Sequence, residues 1–216
     1  MGIDAAATRN RILDAAERLF GERGFAGTSL RAVTTTARVN VASIYYHFES
    51  KEGLLRAVAR RAMASVSEER HRLLDELCTR GDPGVEELVR AFVVTGADLV
   101  RRQGERGEHV ARFIGRVLCE PGPEVRRLFA AEVGHVEGRY LDALTKALPG
   151  LPAGEVAFRY RTMVGVLALH QMDALADLAP PGHGDDIWAG RGDDTERLIA
   201  ALTGIFLAPQ APAVPS

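Results

Sequence analysis

The 216-residue chain predicts an all-α protein in which a small helical head is joined by one long helix to a larger helical body. Three observations carry this. Apolar residues recur at three- and four-residue spacing in almost every segment. The breaks between segments fall at clusters of Gly, Pro, Asn and Asp. No stretch alternates apolar and polar residues as a half-buried strand does, and no repeat of fixed period is present.

Residues 1–7 read as a disordered tail. Thr8 to Glu22 reads as the first helix, with Ile12, Ala15, Ala16, Leu19 and Phe20 on one face and Arg9, Arg11, Asp14, Arg18 and Glu22 opposite. Gly24 is placed to end it, and Phe25 follows as a core anchor. Thr28 is the expected cap of a second helix, whose inner positions are Leu30, Val33 and Ala37. Val39-Asn40-Val41 then interrupts the pattern. Asparagine tolerates a left-handed backbone, so Asn40 is the expected turn residue. From Ala42 to Phe48 a third helix places Ile44 and Phe48 on one face and Ser43, Tyr45, Tyr46 and His47 on the other. Ser50 caps a fourth, Glu52 lies in its first turn, and this helix runs to about Leu77, ~40 Å.

Thr79 to Gly84 is a break. Helices follow at 85–102, 108–119, 124–148, 153–178 and 195–207, separated by Gly104–Gly107, by Glu120-Pro121-Gly122-Pro123, by Pro149-Gly150-Leu151-Pro152 and by a Pro/Gly/Asp-rich loop, 179–193, that holds the single tryptophan, Trp188. The helix 153–178 is strongly apolar. Residues after 207 read as a frayed tail.

A hydrophobic share of 46% and a charged share of 26% are ordinary for a globular protein with a sizeable core. No apolar run approaches the ~18 residues of a membrane span, and no signal-peptide segment opens the chain. Cys78 and Cys119 lie far apart, which suits a reducing cytoplasm without disulfide or zinc site. Charge is divided: residues 1–61 hold ten Lys/Arg and six Asp/Glu, net +4, while residues 62–216 hold seventeen and twenty-three, net −6. Such a division points the N-terminal part at a polyanion. A glycine-rich phosphate loop, a metal-ligand cluster and a nucleophile elbow are all lacking, and the six histidines are scattered. The chain therefore reads as no enzyme, with no cofactor.

Helix, short turn, then a helix with an apolar inner and a polar-aromatic outer face is the pattern of a DNA-reading helix-turn-helix. Its side chains suit duplex DNA. Tyr45 and Tyr46 offer hydroxyls for phosphates and flat rings for thymine methyls. His47 and Lys51 reach phosphates, as does Thr28 at a helix N-terminus. Val41 and Ser43 are placed to touch base edges, and Arg31 and Arg38 to add phosphate contacts. The reading helix has no Arg, Asn or Gln for bidentate base contacts, so shape, apolar contact and water carry the readout.

ILDAAERLFGERGFAGTSLRAV at 12–33 and VNVASIYYHFESKEGLLRAV at 39–58 resemble the N-terminal domain of the tetracycline-repressor (TetR) family of bacterial transcription regulators. Phe20, Gly24-Phe25, Thr28, Tyr45-Tyr46-His47-Phe48 and Lys51-Glu52-Leu54-Leu55 carry the likeness. Thr34-Thr35-Thr36 departs from it, where members usually carry an Ile-Ala pair. Val39-Asn40-Val41 departs too, where Gly-Val-Ser is commoner. The resemblance implies a helix-turn-helix DNA-binding domain at 8–55 and a helical effector-binding and dimerisation domain at 56–208. It implies a homodimeric repressor on a palindromic operator, paired through helices 153–178 and 195–207. An effector-blind or activating DNA-binding protein is the alternative.

The expected dimer stripes are Tyr160, Val164, Leu167 and Gln171 on one helix and Leu198, Ile199, Leu202, Ile205 and Phe206 on the other. An effector cavity would lie between the middle helices, lined by Phe92, Leu99, Phe113, Val117, Met163, Leu167 and Met172. Thr95, His109, Arg112, Arg116 and His170 would orient the ligand. The segment RFIGRVLCEPGPEVRRLFAAEV resembles regulators of fatty-acid metabolism in the same family, which implies a small lipophilic effector, a fatty acid or acyl thioester.

Overall fold

Local periodicity accounts for most of the helices found in the computed structural model, which describes residues 2–171 and 194–210. Among these residues the elements are α1 (Gly2–Arg23), α2 (Leu30–Ala37), α3 (Val41–Phe48), α4 (Lys51–Arg80), α5 (Val85–Gln103), α6 (Glu105–Leu118), α7 (Pro123–Ala147), α8 (Ala153–Gln171) and α9 (Thr195–Leu207). Helix α1 starts at Gly2, so the segment expected to be a disordered tail is helical. The end of the helix expected to reach 178, the loop with Trp188, Met172 and the side chain of Leu99 lie outside the described residues. Among the described residues no helix is long and apolar enough to cross a membrane.

The chain divides into two compact units. One is the stretch up to Ser67 together with Leu99–Gly134; the other is Glu68–Asp98 together with the stretch from His135. Three helices, α4, α5 and α7, therefore contribute to both.

The first unit buries Ile12, Ala16, Leu19 and Phe20 of α1 with Val33 of α2, Ile44 and Phe48 of α3, Leu54, Leu55 and Val58 of α4, and Val110, Phe113 and Val117 of α6. Helix α6 thus completes the core of the head. Gly21 permits the approach, since a Cβ there would stand 3.2 Å from the backbone N of Phe113. Glu17 of α1 is buried and is held by Arg61 of α4 at 2.9 Å and by Arg106 of α6 at 3.5 Å. A carboxylate taken out of water needs such partners.

The second unit has its own core of Leu74, Leu88, Val89, Phe92, Val136, Tyr140, Leu144, Val156, Tyr160, Met163, Leu167, Ile199, Leu202 and Phe206. One polar cluster is set in it. The Arg70 guanidinium lies 3.5 Å from the centroid of the Phe92 ring; its Nη1 donates to Glu137 Oε1 at 2.8 Å and its Nε to Thr95 Oγ1 at 3.1 Å. Tyr160 donates its hydroxyl to the other oxygen of Glu137, and Tyr140 donates to the Arg70 carbonyl at 3.3 Å. Burial lowers the pKa of Arg70, against the opposing pull of Glu137. It raises that of Glu137, opposed by Arg70, and pushes the Tyr140 hydroxyl up to about 12. Every charged group in the cluster is held in place by another.

Candidate nucleic-acid interface

The head is fixed by caps and turns. Gly24 takes φ +73 just past α1, and its N–H bonds the Phe20 carbonyl at 3.0 Å. Only glycine takes that conformation cheaply. Ser29, rather than Thr28, caps α2: its Oγ accepts from the Ala32 N–H at 3.1 Å. Thr28 is 1% exposed, and its hydroxyl is taken up by the carbonyls of Gly24 at 2.8 Å and Leu19 at 3.0 Å. A buried hydroxyl bonded within the chain is not placed to meet a phosphate, so Thr28 ties the α1–α2 turn and the exposed hydroxyl at the start of α2 belongs to Ser29.

The turn between α2 and α3 also differs from expectation. Arg38 is the left-handed residue, at φ 53 and ψ 51. Its N–H bonds the Thr35 carbonyl at 3.2 Å, and that of Val39 bonds Thr34 at 3.0 Å, the pair of bonds that closes a helix in a Schellman motif. Asn40 has extended backbone, φ −77 and ψ 148, and caps α3 by accepting from the Ala42 N–H at 3.0 Å. Asparagine serves here through its side-chain oxygen rather than its tolerance of positive φ. Ser50 caps the start of α4 as its sequence position predicts, accepting from Gly53 N at 3.0 Å.

These caps set α3 with Ile44 and Phe48 buried beneath it. Its outer face shows Val41, 46% exposed, Tyr45, 55%, and Tyr46, 80%. Rings this exposed contribute nothing to the core, which makes them the clearest mark of a contact surface. Ser43 and His47 are half-buried on the same helix, and Arg31 is exposed on α2. The His47 ring stands edge-on to Tyr46, centroids 4.9 Å apart. Lys51 is half-buried at the start of α4, with its Nζ 4.2 Å from the Phe25 ring centroid. Burial lowers its pKa, while Glu52 and Glu120 pull it back up. The structure therefore brings Arg31, Val41, Ser43, Tyr45, Tyr46, His47 and Lys51 into one unit and withdraws Thr28 into its core.

The end of α6 reaches this head. Glu120 is buried, and its Oε1 accepts from the Ala26 N–H of the α1–α2 turn at 3.3 Å. A Cβ on Gly24 would stand 2.9 Å from the other Glu120 oxygen and 3.1 Å from Arg116 Nε. Nothing in the local sequence around Glu120 signals this partner 94 residues away.

The residues expected around an effector divide between the two cores. Phe92, Thr95, Met163 and Leu167 are buried in the second unit, and Phe113 in the first. Thr95 is occupied by Arg70. His109 is half-buried, while Arg112 and His170 are exposed. The expected dimer stripes are corrected as well. Tyr160 and Leu167 of α8 and Ile199, Leu202 and Phe206 of α9 all lie in the second unit's own core. The surface-facing stripe of α8 is instead Phe158, Thr162, Gly165, Val166 and Leu169, with Phe158 57% and Val166 40% exposed. On α9 it is Ala201, Gly204 and Leu207.

Arg70 is a residue that sequence reasoning passed over. Its signal was present: it stands on the apolar stripe Met63–Val66–Arg70–Leu74 of α4, where a cation is out of pattern.

A capped two-helix motif over an all-α core, with an exposed aromatic face on its second helix, defines the class of helix-turn-helix transcription regulators. Residues 12–58 match the family model described as bacterial regulatory proteins, tetR family, and residues 90–208, more than half of the chain, match the tetracyclin repressor-like C-terminal domain. The chain belongs to the TetR family of bacterial regulatory proteins, a family of transcription regulators and not of enzymes. It is 40% identical over 58 residues to the HTH-type transcriptional regulator UidR of Escherichia coli K12, a match covering 27% of this chain and 30% of that protein. It is 36% identical over 89 residues to the HTH-type transcriptional repressor NicS of Pseudomonas putida, covering 41% and 40%. The chain thus spans less than half the length of these relatives. In fold it is similar to the transcriptional regulator FadR of Bacillus subtilis in complex with stearoyl-CoA, at TM-score 0.64 and 16% identity over 89% of this chain and 96% of that one.

Proposed function

We propose that this protein is a homodimeric repressor that holds a palindromic operator through two copies of α3 and leaves it when a small lipophilic effector binds. The observation that carries the reading is the outer face of α3, where Val41, Tyr45 and Tyr46 stand exposed over a buried Ile44 and Phe48. Val41 and Ser43 meet base edges; Arg31, Tyr45, Tyr46, His47 and Lys51 meet phosphates. Residues 8–55 do the reading, and 56–208 carry the effector and the partner.

Repression is supported by the likeness to NicS, a transcriptional repressor. Dimerisation is supported by the exposed stripes of α8 and α9, whose small residues Gly165, Ala201 and Gly204 permit close helix approach beside Phe158 and Leu207. An acyl thioester effector is supported by the stearoyl-CoA held by FadR. The α4 helix, 30 residues and about 45 Å long, begins beside α3 and continues into the second unit. Its tilt is the lever: two half-sites must be met at roughly 34–36 Å, and an effector that prefers another spacing weakens binding in proportion to that preference.

The test is direct. Intergenic DNA flanking the gene, titrated with protein and followed by fluorescence anisotropy, should show sequence-selective binding that Tyr45→Ala with Lys51→Ala abolishes in a folded dimer. Retained binding would sink the assignment of α3. A long-chain acyl-CoA at 100 times its dissociation constant should stabilise the fold by about 2.7 kcal/mol. If no acyl thioester shifts the melting temperature or the DNA affinity, the effector-blind reading replaces this one.

A further inference from the structure

We propose that the head carries a second anion site, apart from the face of α3, that binds a free phosphate-bearing small molecule between α1, the end of α2 and α6. The structure has a cleft there of about 430 Å³, lined by Arg11, Asp14, Arg18, Thr36, Arg38 and His109, with Ala15 and Ala37 as its apolar floor. Three guanidinium groups face one carboxylate. That carboxylate is already engaged from outside the lining, by Arg61 at 2.7 Å. Among the described residues Arg18 has only a loose pair, with Glu22 at 3.8 Å. Among the described residues the side chains of Arg11, Arg38 and His109 have no hydrogen bond or ion pair. Arginines at a cleft of net positive charge, two of them with their planar donors unused, are the arrangement that takes a phosphate oxygen pair.

A second, independent observation concerns Arg38 itself. It is one of two non-glycine residues at positive φ among the described residues, and its left-handed conformation is closed by backbone bonds that glycine would make at less cost. Strain kept at an exposed position is characteristic of a working side chain. The motif that holds the strain also fixes where the arginine leaves the backbone.

Small-molecule phosphate is favoured over the DNA backbone by the make-up of the lining. None of the outward residues of α3 takes part in it, whereas His109 of α6 does. An open groove bordered on the α6 side by His109 suits a compact anion such as a phosphomonoester or pyrophosphate. The proposal does not depend on the operator or effector reading above.

Isothermal titration of the full-length protein with inorganic pyrophosphate at low ionic strength tests it, with wild type, Arg38→Gly and Arg11→Gln compared. Wild type should bind. Each variant should bind about tenfold more weakly, the ratio corresponding to one charge-assisted hydrogen bond. Arg38→Gly relieves strain, so a folding defect would not explain the loss. No binding by wild type, or equal binding by all three proteins, overturns the proposal. The salt dependence of binding to duplex DNA should be the same in wild type and Arg11→Gln. A slope lower by ~0.9 per removed cation would make the cleft a backbone-phosphate contact and overturn it as well.

Discussion

Replacing Arg38 by glycine should make the head more stable, although it deletes a charged side chain next to the reading helix. The backbone at this residue stands at φ 53 and ψ 51. An L-residue with a Cβ holds that conformation at a cost of roughly 1–2 kcal/mol. Glycine removes the cost but gives back about 0.5–1 kcal/mol through the greater freedom of its unfolded chain. The two Schellman bonds, to Thr35 and Thr34, use backbone groups only and survive the change. The Arg38 side chain is exposed and, among the described residues, has no bond of its own to lose. The net gain is then about 0.5–1 kcal/mol, which raises the melting temperature of a chain this size by ~1–4 °C. Arg38→Ala is the control. It removes the same charge from among Arg11 and Arg18 while keeping the Cβ, so the difference between glycine and alanine isolates the backbone contribution. Urea and thermal unfolding followed by circular dichroism read both. If glycine is no more stable than alanine, left-handed strain at Arg38 does not limit the fold and the reasoning fails.

Other outcomes follow from the same geometry. Gly24→Ala should destabilise by about 1–3 kcal/mol, because it combines φ +73 with a Cβ 2.9 Å from Glu120 Oε2; paired with Glu120→Ala it should recover only the clash. Glu137→Gln should cost about 3–5 kcal/mol in denaturant unfolding, since it leaves the buried Arg70 cation without its anion. Changing both, Arg70→Met with Glu137→Leu, should restore most of that, and a double variant as weak as the single would show that the charge is not what matters. His71 accepts from Arg139 at 2.7 Å and faces His135 at 5.2 Å between ring centroids, with Asp75 nearby on Arg139. Burial first, then Arg139 and His135, depress its pKa below 6.5 against the pull of Asp75. The folded state then binds fewer protons than the unfolded one, so stability present above pH 6.5 is lost as pH falls through that depressed value. Melting temperature measured across that range should fall with acidity, and His71→Gln, which can still accept from Arg139, should flatten the slope.

The sequence by itself determined the helices, most of their ends, and the helix-turn-helix with its outward tyrosines. It could do so because a helix is made of bonds four residues apart, and because the faces of α2 and α3 repeat at that same spacing. Even so, the caps lie one or two positions from where the pattern places them. Ser29, Arg38 and Asn40 do what was expected of Thr28 and Asn40, since a cap is decided by backbone angles that several residue types tolerate. Tertiary structure alone decided which apolar stripe of α8 is spent on the chain's own core. Tyr160 and Leu167 are buried within it, whereas Phe158 and Val166 are left exposed, and both stripes look alike in a list of residues. It also decided that α6 completes the head, through Gly21 and Glu120, and that Arg70 finds Glu137 on another helix, 67 residues on. Those pairings join residues far apart in the chain, and periodicity carries no information about which distant face a stripe will meet.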